Sequence, residues 1–247
     1  MTLNKLIVIR HALSGGNREN RVQGQSESEL RRGYKGQTER LTDKIVEQER
    51  LIPRTTPVYV FCSDSDRAYY TAQWIHSHLS NQHHIQADLR RTELLKERGQ
   101  GILERLSYED VATILRQILP PGTNITPDAK SIYPHLFSSN AIPEGEKLEK
   151  AKSRLERFAV EDLQRLEEGT GIIVGHGISG NYLINLLKYG NILGDGKYQH
   201  LLNLAGVKLE SESFGRYKEI GRYEPPNGNR NHNGGHATTP LEKRVAS

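Results

Sequence analysis

Three short apolar runs constrain the fold of this chain more than any other feature. They are LIVI at residues 6–9, VYVFC at 58–62 and IIV at 172–174. Each is too short to form a helix of ordinary length and too continuously apolar for a strand with one wet face. Strands covered on both faces remain, and these are the strands of parallel sheets. Each run is followed by a polar turn and then by residues at helical spacing. The first leads into a helical stretch at 33–49. The second leads into DRAYYTAQWIHSHL, with Ala68, Thr71, Ala72 and Ile75 on one face. The third leads into SGNYLINLLKY, with Tyr182, Leu183, Leu186 and Leu187 on one face. This alternation predicts an α/β three-layer sandwich, a mainly parallel central sheet with helices on both faces. HIQADL at 84–89 reads as a further short strand, and LAGVKLE and GRYKEIGRY as a terminal strand pair joined at SESFG. That pair also offers an edge for a homodimer.

Residues 107–150 are less regular. A helical stretch at 108–118 is followed by LPPGTNITPDAKSIYPHLFSSNAIPEGE, rich in turn residues. The segment is long for a connection and reads as an inserted, lid-like piece near a site. A helix over 145–168 is expected after it. Residues 1–223 are therefore expected to form one domain, and the polar, Gly- and Asn-rich residues 224–247 a disordered tail. Its His232 and His236 are weak metal ligands at most.

The lone Cys62 excludes a disulfide framework within the chain, fits a reducing compartment and reads as a packing residue. MTLNKLIVIRHA lacks the pattern of a signal peptide, and no apolar stretch is long enough to span a bilayer. A cytoplasmic location is expected. The net charge of +4 comes without a lysine or arginine block, so neither nucleic acid nor membrane is an expected partner. A few arginines gathered at one anionic site account for part of the excess equally well.

In open parallel sheets, ligands sit beyond the carboxyl ends of the strands. Here those ends carry Arg10 and His11, Arg67, and His176. Arginine presents a donor fork suited to phosphate oxygens. The helix N-termini that follow the strands would add backbone donors. A neutral imidazole can attack phosphorus and hold the phosphoryl group, and a second imidazole can stabilise the charge in transfer. The combination points to phosphoryl transfer with no metal or cofactor required.

The same residues carry a resemblance. IRHALSGGNRENRVQG is similar to the histidine phosphatase superfamily pattern Arg-His-Gly-Glu-Thr-x-x-Asn-x-x-x-Arg-x-Gln-Gly, with Arg10, His11, Ser14, Asn17, Arg21, Gln23 and Gly24 in register. SDSDRAYYTA matches a second segment through Ser63, Arg67, Ala68, Thr71 and Ala72. LKERGQGILE resembles the acid-bearing segment through Leu95, Glu97 and Gly101, and PEGEKLEKAKSRL a further one through Gly145, Glu146 and Arg154. IIVGHGISG resembles the strand and turn of the second histidine, with Gly177 beside His176.

The resemblance implies a phosphomonoester hydrolase acting on a phosphorylated small molecule. His11 would be the nucleophile that becomes phosphohistidine. Arg10, Arg67 and His176 would bind the phosphoryl group, and Glu97 would be the general acid. Ser14, Asn17, Arg21, Gln23, Gly24 and Gly177 would border the phosphate or substrate. Glu93 and Glu104 stay open as alternatives for the acid, and Glu146 as a helix-terminal carboxylate or a residue near the site. His76, His78, His83 and His84 read as solvated. The chain departs from the pattern at Ala12, Leu13 and Lys147, and alanine is unsuited to a backbone position needing positive φ. Gly33 is off by one from the family's helix-entry glycine. A cofactor-dependent phosphoglycerate mutase and an inactive relative serving as a binding module are the competing readings. The only tryptophan, Trp74, lies outside the insertion, and the turn after His176 is Gly-Ile-Ser-Gly; both weigh against the mutase.

Overall fold

The structure is a computed structural model and describes residues 3–51, 56–166, 168–213 and 215–226. Strands β1 (Lys5–Arg10), β2 (Val58–Ser63), β3 (Ala87–Thr92), β4 (Thr170–Gly175), β5 (Gly206–Ser213) and β6 (Arg216–Tyr223) form a six-stranded sheet in the order β3-β2-β4-β1-β5-β6. β1, β4, β2 and β3 pair in parallel, while β5 runs antiparallel between β1 and β6. The mainly parallel sheet and the terminal strand pair are as the sequence predicts.

Side chains alternate faces along each strand, and two cores result. Ile7 and Ile9 of β1 pack with Val60 and Cys62 under α2 (Tyr34–Glu49) and α3 (Asp66–His83). Leu6 and Val8 pack with Phe61 and Ile173 on the opposite face. That face is covered by α4 (Tyr108–Ile118), α5 (Ala129–Ser138), α6 (Leu148–Arg157) and α7 (Gly177–Tyr189). A four-residue helix, α1 (Gly15–Arg18), follows β1. Burial pushes the Cys62 thiol up to about 12, as suits a packing residue. Gly33 takes φ 84° at the N-terminus of α2, a left-handed conformation that suits glycine.

The elements differ from expectation in several places. The helix after Arg67 runs through His83, and His84 ends it in a left-handed conformation (φ 52°), so the expected strand at 84–89 begins only at Ala87. No glycine or proline in the sequence marks that boundary. The helix expected over 145–168 starts at Leu148, and after Arg157 it widens into a π-type segment, Phe158–Leu163. The inserted segment is more ordered than its turn residues suggest. Asp128 caps α5 by accepting from the Ser131 N–H, and Ile132, Tyr133, Leu136 and Phe137 form its buried face despite Pro134 inside the helix. His78 and His83 are not simply solvated, since both bond to Asp43. His76 bonds the carbonyl of Ala87. His232 and His236 lie outside the described residues. No helix among the described residues is long and apolar enough to cross a membrane.

The last residue of α2 ties the terminal strands to the sheet. The buried Glu49 carboxylate accepts from Lys5 (3.2 Å), from Tyr223 (2.6 Å) and from Lys208 (2.6 Å). Burial alone would raise its pKa, but the bonds from Lys208, Tyr223 and Lys5 outweigh burial and hold it below the usual carboxylate range. A depressed folded-state value means the stabilisation is present above the unfolded pKa and is lost as pH falls through the folded one. Glu49→Gln is therefore expected to cost about 2 kcal/mol at neutral pH. Chemical denaturation at pH 7 and at pH 3 checks this: the gap between variant and wild type narrows at pH 3, and an equal gap at both would contradict the assignment.

Candidate active site

β1 and β4 are parallel neighbours, with Arg10 opposite Gly175. The next residue of each strand is a histidine, so pairing alone brings His11 and His176 together. The His11 N–H donates to the Gly175 carbonyl at 2.9 Å, and the two imidazoles meet edge to face with centroids 5.3 Å apart. Arg67 enters from the first turn of α3, after β2. All four side chains are buried. Arg10, His11, Arg67, Gln23, Gly24, Glu97 and Gln100 line the polar side of a small pocket, and Val22, Tyr133, Leu136 and Ile178 line its apolar side. His176 is not part of the lining; its ring packs edge to face on that of His11, which is.

Each arginine is held by its fork. Arg67 donates through Nη1 to the Ser26 carbonyl (2.7 Å) and through Nη2 to that of Gly24 (2.8 Å). Arg10 donates through Nη1 to the Leu201 carbonyl (2.8 Å). The Nε atoms of both, and Nδ1 of His176, are buried with no hydrogen-bond partner among the described residues. Buried polar groups are nearly always partnered, so two orphans on residues that line the pocket, and a third on the ring packed against His11, mark a place for a ligand rich in acceptors. Burial pulls the Arg67 guanidinium below its ordinary value, opposed by the carboxylates of Glu97 and Glu27.

His11 Nδ1 lies 2.7 Å from the Ala12 carbonyl, which can only accept. Nδ1 therefore carries the proton, and Nε2 keeps its lone pair. Burial, then Arg67, then Arg10 hold His11 well below the ordinary histidine range. His176 is lowered likewise by burial, Arg67, His11 and Arg10. Its Nε2 lies 3.2 Å from Ser65 Oγ. With the Ser65 hydroxyl donating, Nδ1 carries the proton and is a buried donor.

The structure separates the three candidate acids. Glu97 lines the pocket, and its carboxylate accepts from the backbone N–H groups of Ile178 (3.0 Å), Ser179 (2.8 Å) and Arg98 (2.8 Å). Glu104 instead accepts from the N–H groups of Gln25 and Gln100, and Glu93 is exposed. Glu146 pairs with Arg154 at 2.8 Å and stands outside the pocket.

Several expectations need correction. Arg21 does not border the pocket; it is half-exposed and donates to Glu19 and to the Arg105 carbonyl. Ser14 and Asn17 are buried but hold each other at the start of α1, and Ser14 also donates to Gln23, so they shape the wall from behind. The helix N-termini are largely spent within the protein: Glu97 takes the Ile178 and Ser179 donors, and Glu27 takes the Asp66 donor. Gly177 needs no special backbone angle, and a side-chain carbon there would meet Tyr198 and Arg10 at ordinary contact distances. Gly24 is the glycine the site requires: at φ +54°, a Cβ would lie 2.2 Å from the Glu104 carboxylate. Ala12 is absent from the positive-φ positions and its methyl is fully buried in the α2–α3 core, so the backbone accepts this departure.

Several contributors besides the apolar lining escaped the sequence reading. Ser65 bonds His176, Gln100 lines the pocket, and Asn203 donates to the His11 carbonyl at 2.9 Å. Tyr198 stacks on Tyr133 and has a buried hydroxyl with no partner among the described residues. Ser65 lay within a recognised segment and could have been flagged by its place two residues before Arg67. Nothing local in the sequence points to Asn203 or Tyr198.

Residues 6–215 match the family model of the histidine phosphatase superfamily (branch 1). No curated protein sequence matches the chain. Solved structures of similar fold include Bacillus stearothermophilus YhfR, at 20% identity and TM-score 0.64 over 87% of this chain and 95% of that one. A putative alpha-ribazole-5'-P phosphatase from Escherichia coli gives 20% identity and TM-score 0.62 over 87% and 93%. A mycobacterial glucosyl-3-phosphoglycerate phosphatase solved with VO3 gives 18% identity and TM-score 0.64 over 87% and 96%.

The electrostatics of the pocket lead to a titration prediction. Folded His11 and His176 stay neutral as pH falls through 6.5, whereas unfolded imidazoles take up protons there. Their contribution makes the protein less stable as pH drops below about 6.5. Arg67→Gln removes the largest charge acting on both and moves both titrations back up toward the ordinary value. Imidazole chemical shifts followed by NMR read this directly, and wild-type rings titrating at or above 6.5 would contradict it.

Proposed function

The chain belongs to branch 1 of the histidine phosphatase superfamily, and from that premise we propose that it is a phosphomonoester hydrolase working through a phosphohistidine on His11. The observation that carries the reading is the set of orphaned buried donors, Arg10 Nε, Arg67 Nε and His176 Nδ1, grouped about an imidazole whose Nε2 lone pair is free. Phosphoryl oxygens satisfy such donors, and two guanidinium charges favour an anion.

In this reading His11 Nε2 attacks phosphorus and the bond to the ester oxygen breaks. The leaving oxygen takes a proton from Glu97, and the substrate departs as its alcohol. Water then attacks phosphohistidine, giving its proton to Glu97. The phosphorus–nitrogen bond breaks, and the electron pair returns to Nε2. The arginines and His176 stabilise charge on the phosphoryl oxygens as it is transferred. The Ala12 carbonyl keeps the His11 proton on Nδ1 throughout.

Val22, Tyr133, Leu136 and Ile178 would contact the organic part of the ester. The names of two structural neighbours, an alpha-ribazole-5'-P phosphatase and a glucosyl-3-phosphoglycerate phosphatase, suggest small phosphorylated metabolites as the first substrates to try. The buried free thiol of Cys62 agrees with a reducing compartment such as the cytoplasm. Trp74 bonds Glu39 between α3 and α2 and takes no part in the pocket.

Assay of a panel of phosphomonoesters, with exchange between 2- and 3-phosphoglycerate alongside, tests the reading. Hydrolysis is expected in wild type, with His11→Ala lowering it at least 1,000-fold. Exchange without hydrolysis would make the protein a mutase, and neither activity would leave a binding module. Glu97→Gln is expected to slow esters of poor leaving groups about 100-fold while sparing activated aryl esters. Equal loss on both classes would remove Glu97 from the role of acid.

A further inference from the structure

Away from the pocket, the structure brings together a second group of ligating side chains. His78 and His83 lie in the C-terminal part of α3, and Asp43 lies on α2. Both imidazoles use Nε2, and both address the same atom, Asp43 Oδ1, at 2.7 and 2.8 Å. The rings stand edge to face with centroids 5.4 Å apart, and one ligand atom from each of the three residues lies within 4.8 Å of the others. The imidazoles are mostly covered, at 14% and 21% exposure, while the carboxylate is 53% exposed, which opens the cluster to solvent on one side.

Hydrogen bonding alone is a weak reason for this arrangement. Two imidazole donors compete for one oxygen that water can reach, and bonds of that kind add little stability at a surface. The set does suit a metal ion. Two neutral imidazole nitrogens and one carboxylate oxygen are zinc ligands, and three protein ligands with water in the fourth position is a familiar open zinc site. Metal–ligand distances of about 2.0–2.2 Å in a tetrahedron put ligand atoms about 3.3 Å apart. The two histidine–aspartate separations need widen by only about 0.5 Å, within reach of a half-exposed carboxylate. His83 is also the last residue of α3, where the negative end of the helix dipole favours a cation.

We propose that Asp43, His78 and His83 bind a divalent transition metal of the zinc class, completed by water. The metal would replace the two hydrogen bonds with two coordinate bonds and clip α3 to α2. These helices already meet through the Trp74–Glu39 bond (3.0 Å) and through Lys35 over the Trp74 ring. The histidines of the site stand about 17 and about 24 Å along α3 from Arg67, at about 1.5 Å per residue. It is a structural site and takes no part in the reaction proposed for His11.

The test uses the full chain without an affinity tag and zinc chloride as the probe. Calorimetric titration and thermal melting are run on wild type, on Asp43→Asn, on His78→Asn/His83→Asn, and on His232→Asn/His236→Asn, which removes the histidines of the C-terminal residues. Wild type is expected to bind one zinc ion at the cluster, with Tm raised by about 5 °C at zinc 100-fold above its dissociation constant. The His78/His83 variant and Asp43→Asn are each expected to weaken binding at least tenfold and to lose that rise. The His232/His236 variant is expected to keep both. Zinc binding that survives in the His78/His83 variant or in Asp43→Asn, binding that disappears with His232 and His236, or no binding by wild type would each overturn the proposal. Melting without zinc shows whether either cluster variant is misfolded, and Asp43→Asn decides alone if the double variant fails to fold.

Discussion

The buried guanidinium of Arg67 is the charge around which the pocket is assembled. It is 1% exposed, so its desolvation must be met by partners inside the protein. Its fork is satisfied by the carbonyls of Gly24 and Ser26, in a loop with little regular structure. That loop is fixed in turn. Glu104 bonds the Gln25 N–H, and Gln25 donates to the Glu97 carbonyl at 3.1 Å. The chain from Arg67 through the loop to Glu97 is thus one network of bonds. Burial first, and then the same positive charge, hold His11 and His176 below the ordinary histidine range, so the residue that anchors the loop also favours the neutral imidazoles.

The inserted helices serve the pocket by holding the segment that carries Glu97. Arg98 is 1% exposed and donates to the carbonyls of Leu136, Phe137, Ser139 and Glu146. Its neighbour Glu97 is turned the opposite way, onto the first turn of α7. One buried arginine therefore fastens α5 to the Glu97 segment, and the α7 N-terminus fixes the carboxylate itself. Tyr133 and Leu136, on the same helix α5, supply part of the apolar wall. The Glu97 segment and the apolar wall are positioned by shared contacts.

The parallel strands and their terminal residues were legible because they depend on local pattern. An apolar run ending in Arg10 and His11 shows both the strand and what it delivers, and His176 after β4 follows the same rule, while Arg67 stands in the first turn of the helix after β2. Residues whose role depends on distant partners were not legible in this way. Arg21 matches the family spacing yet turns outward to the Arg105 carbonyl, which lies 84 residues away in sequence. Asn203 supports the His11 backbone across a separation of 192 residues. Helix α5 was hidden because Pro134 and a run of turn residues argue locally against it, while burial of Ile132, Leu136 and Phe137 in the core overrides that argument.

The expectation that helix N-termini would hold the phosphate failed for an instructive reason. A carboxylate that must be held in a fixed position beside the pocket needs the same backbone donors that an anionic substrate would use. Glu97 takes those of α7, and Glu27 one at the start of α3. The donors left for a ligand are side-chain N–H groups from three separate places, Arg10 at the end of β1, Arg67 in α3 and His176 after β4. Their convergence requires β1 and β4 to stay in register, since a slip of one residue would turn the next side chain to the other face. Ala12 ties the residues that follow β1 to α3. Its N–H donates to Thr71 at 3.1 Å, its carbonyl fixes the His11 tautomer, and its methyl fills the core beside α3. A glycine would leave that core contact unfilled, so the departure from the family pattern acts as packing that locks the His11 segment to the helix bearing Arg67.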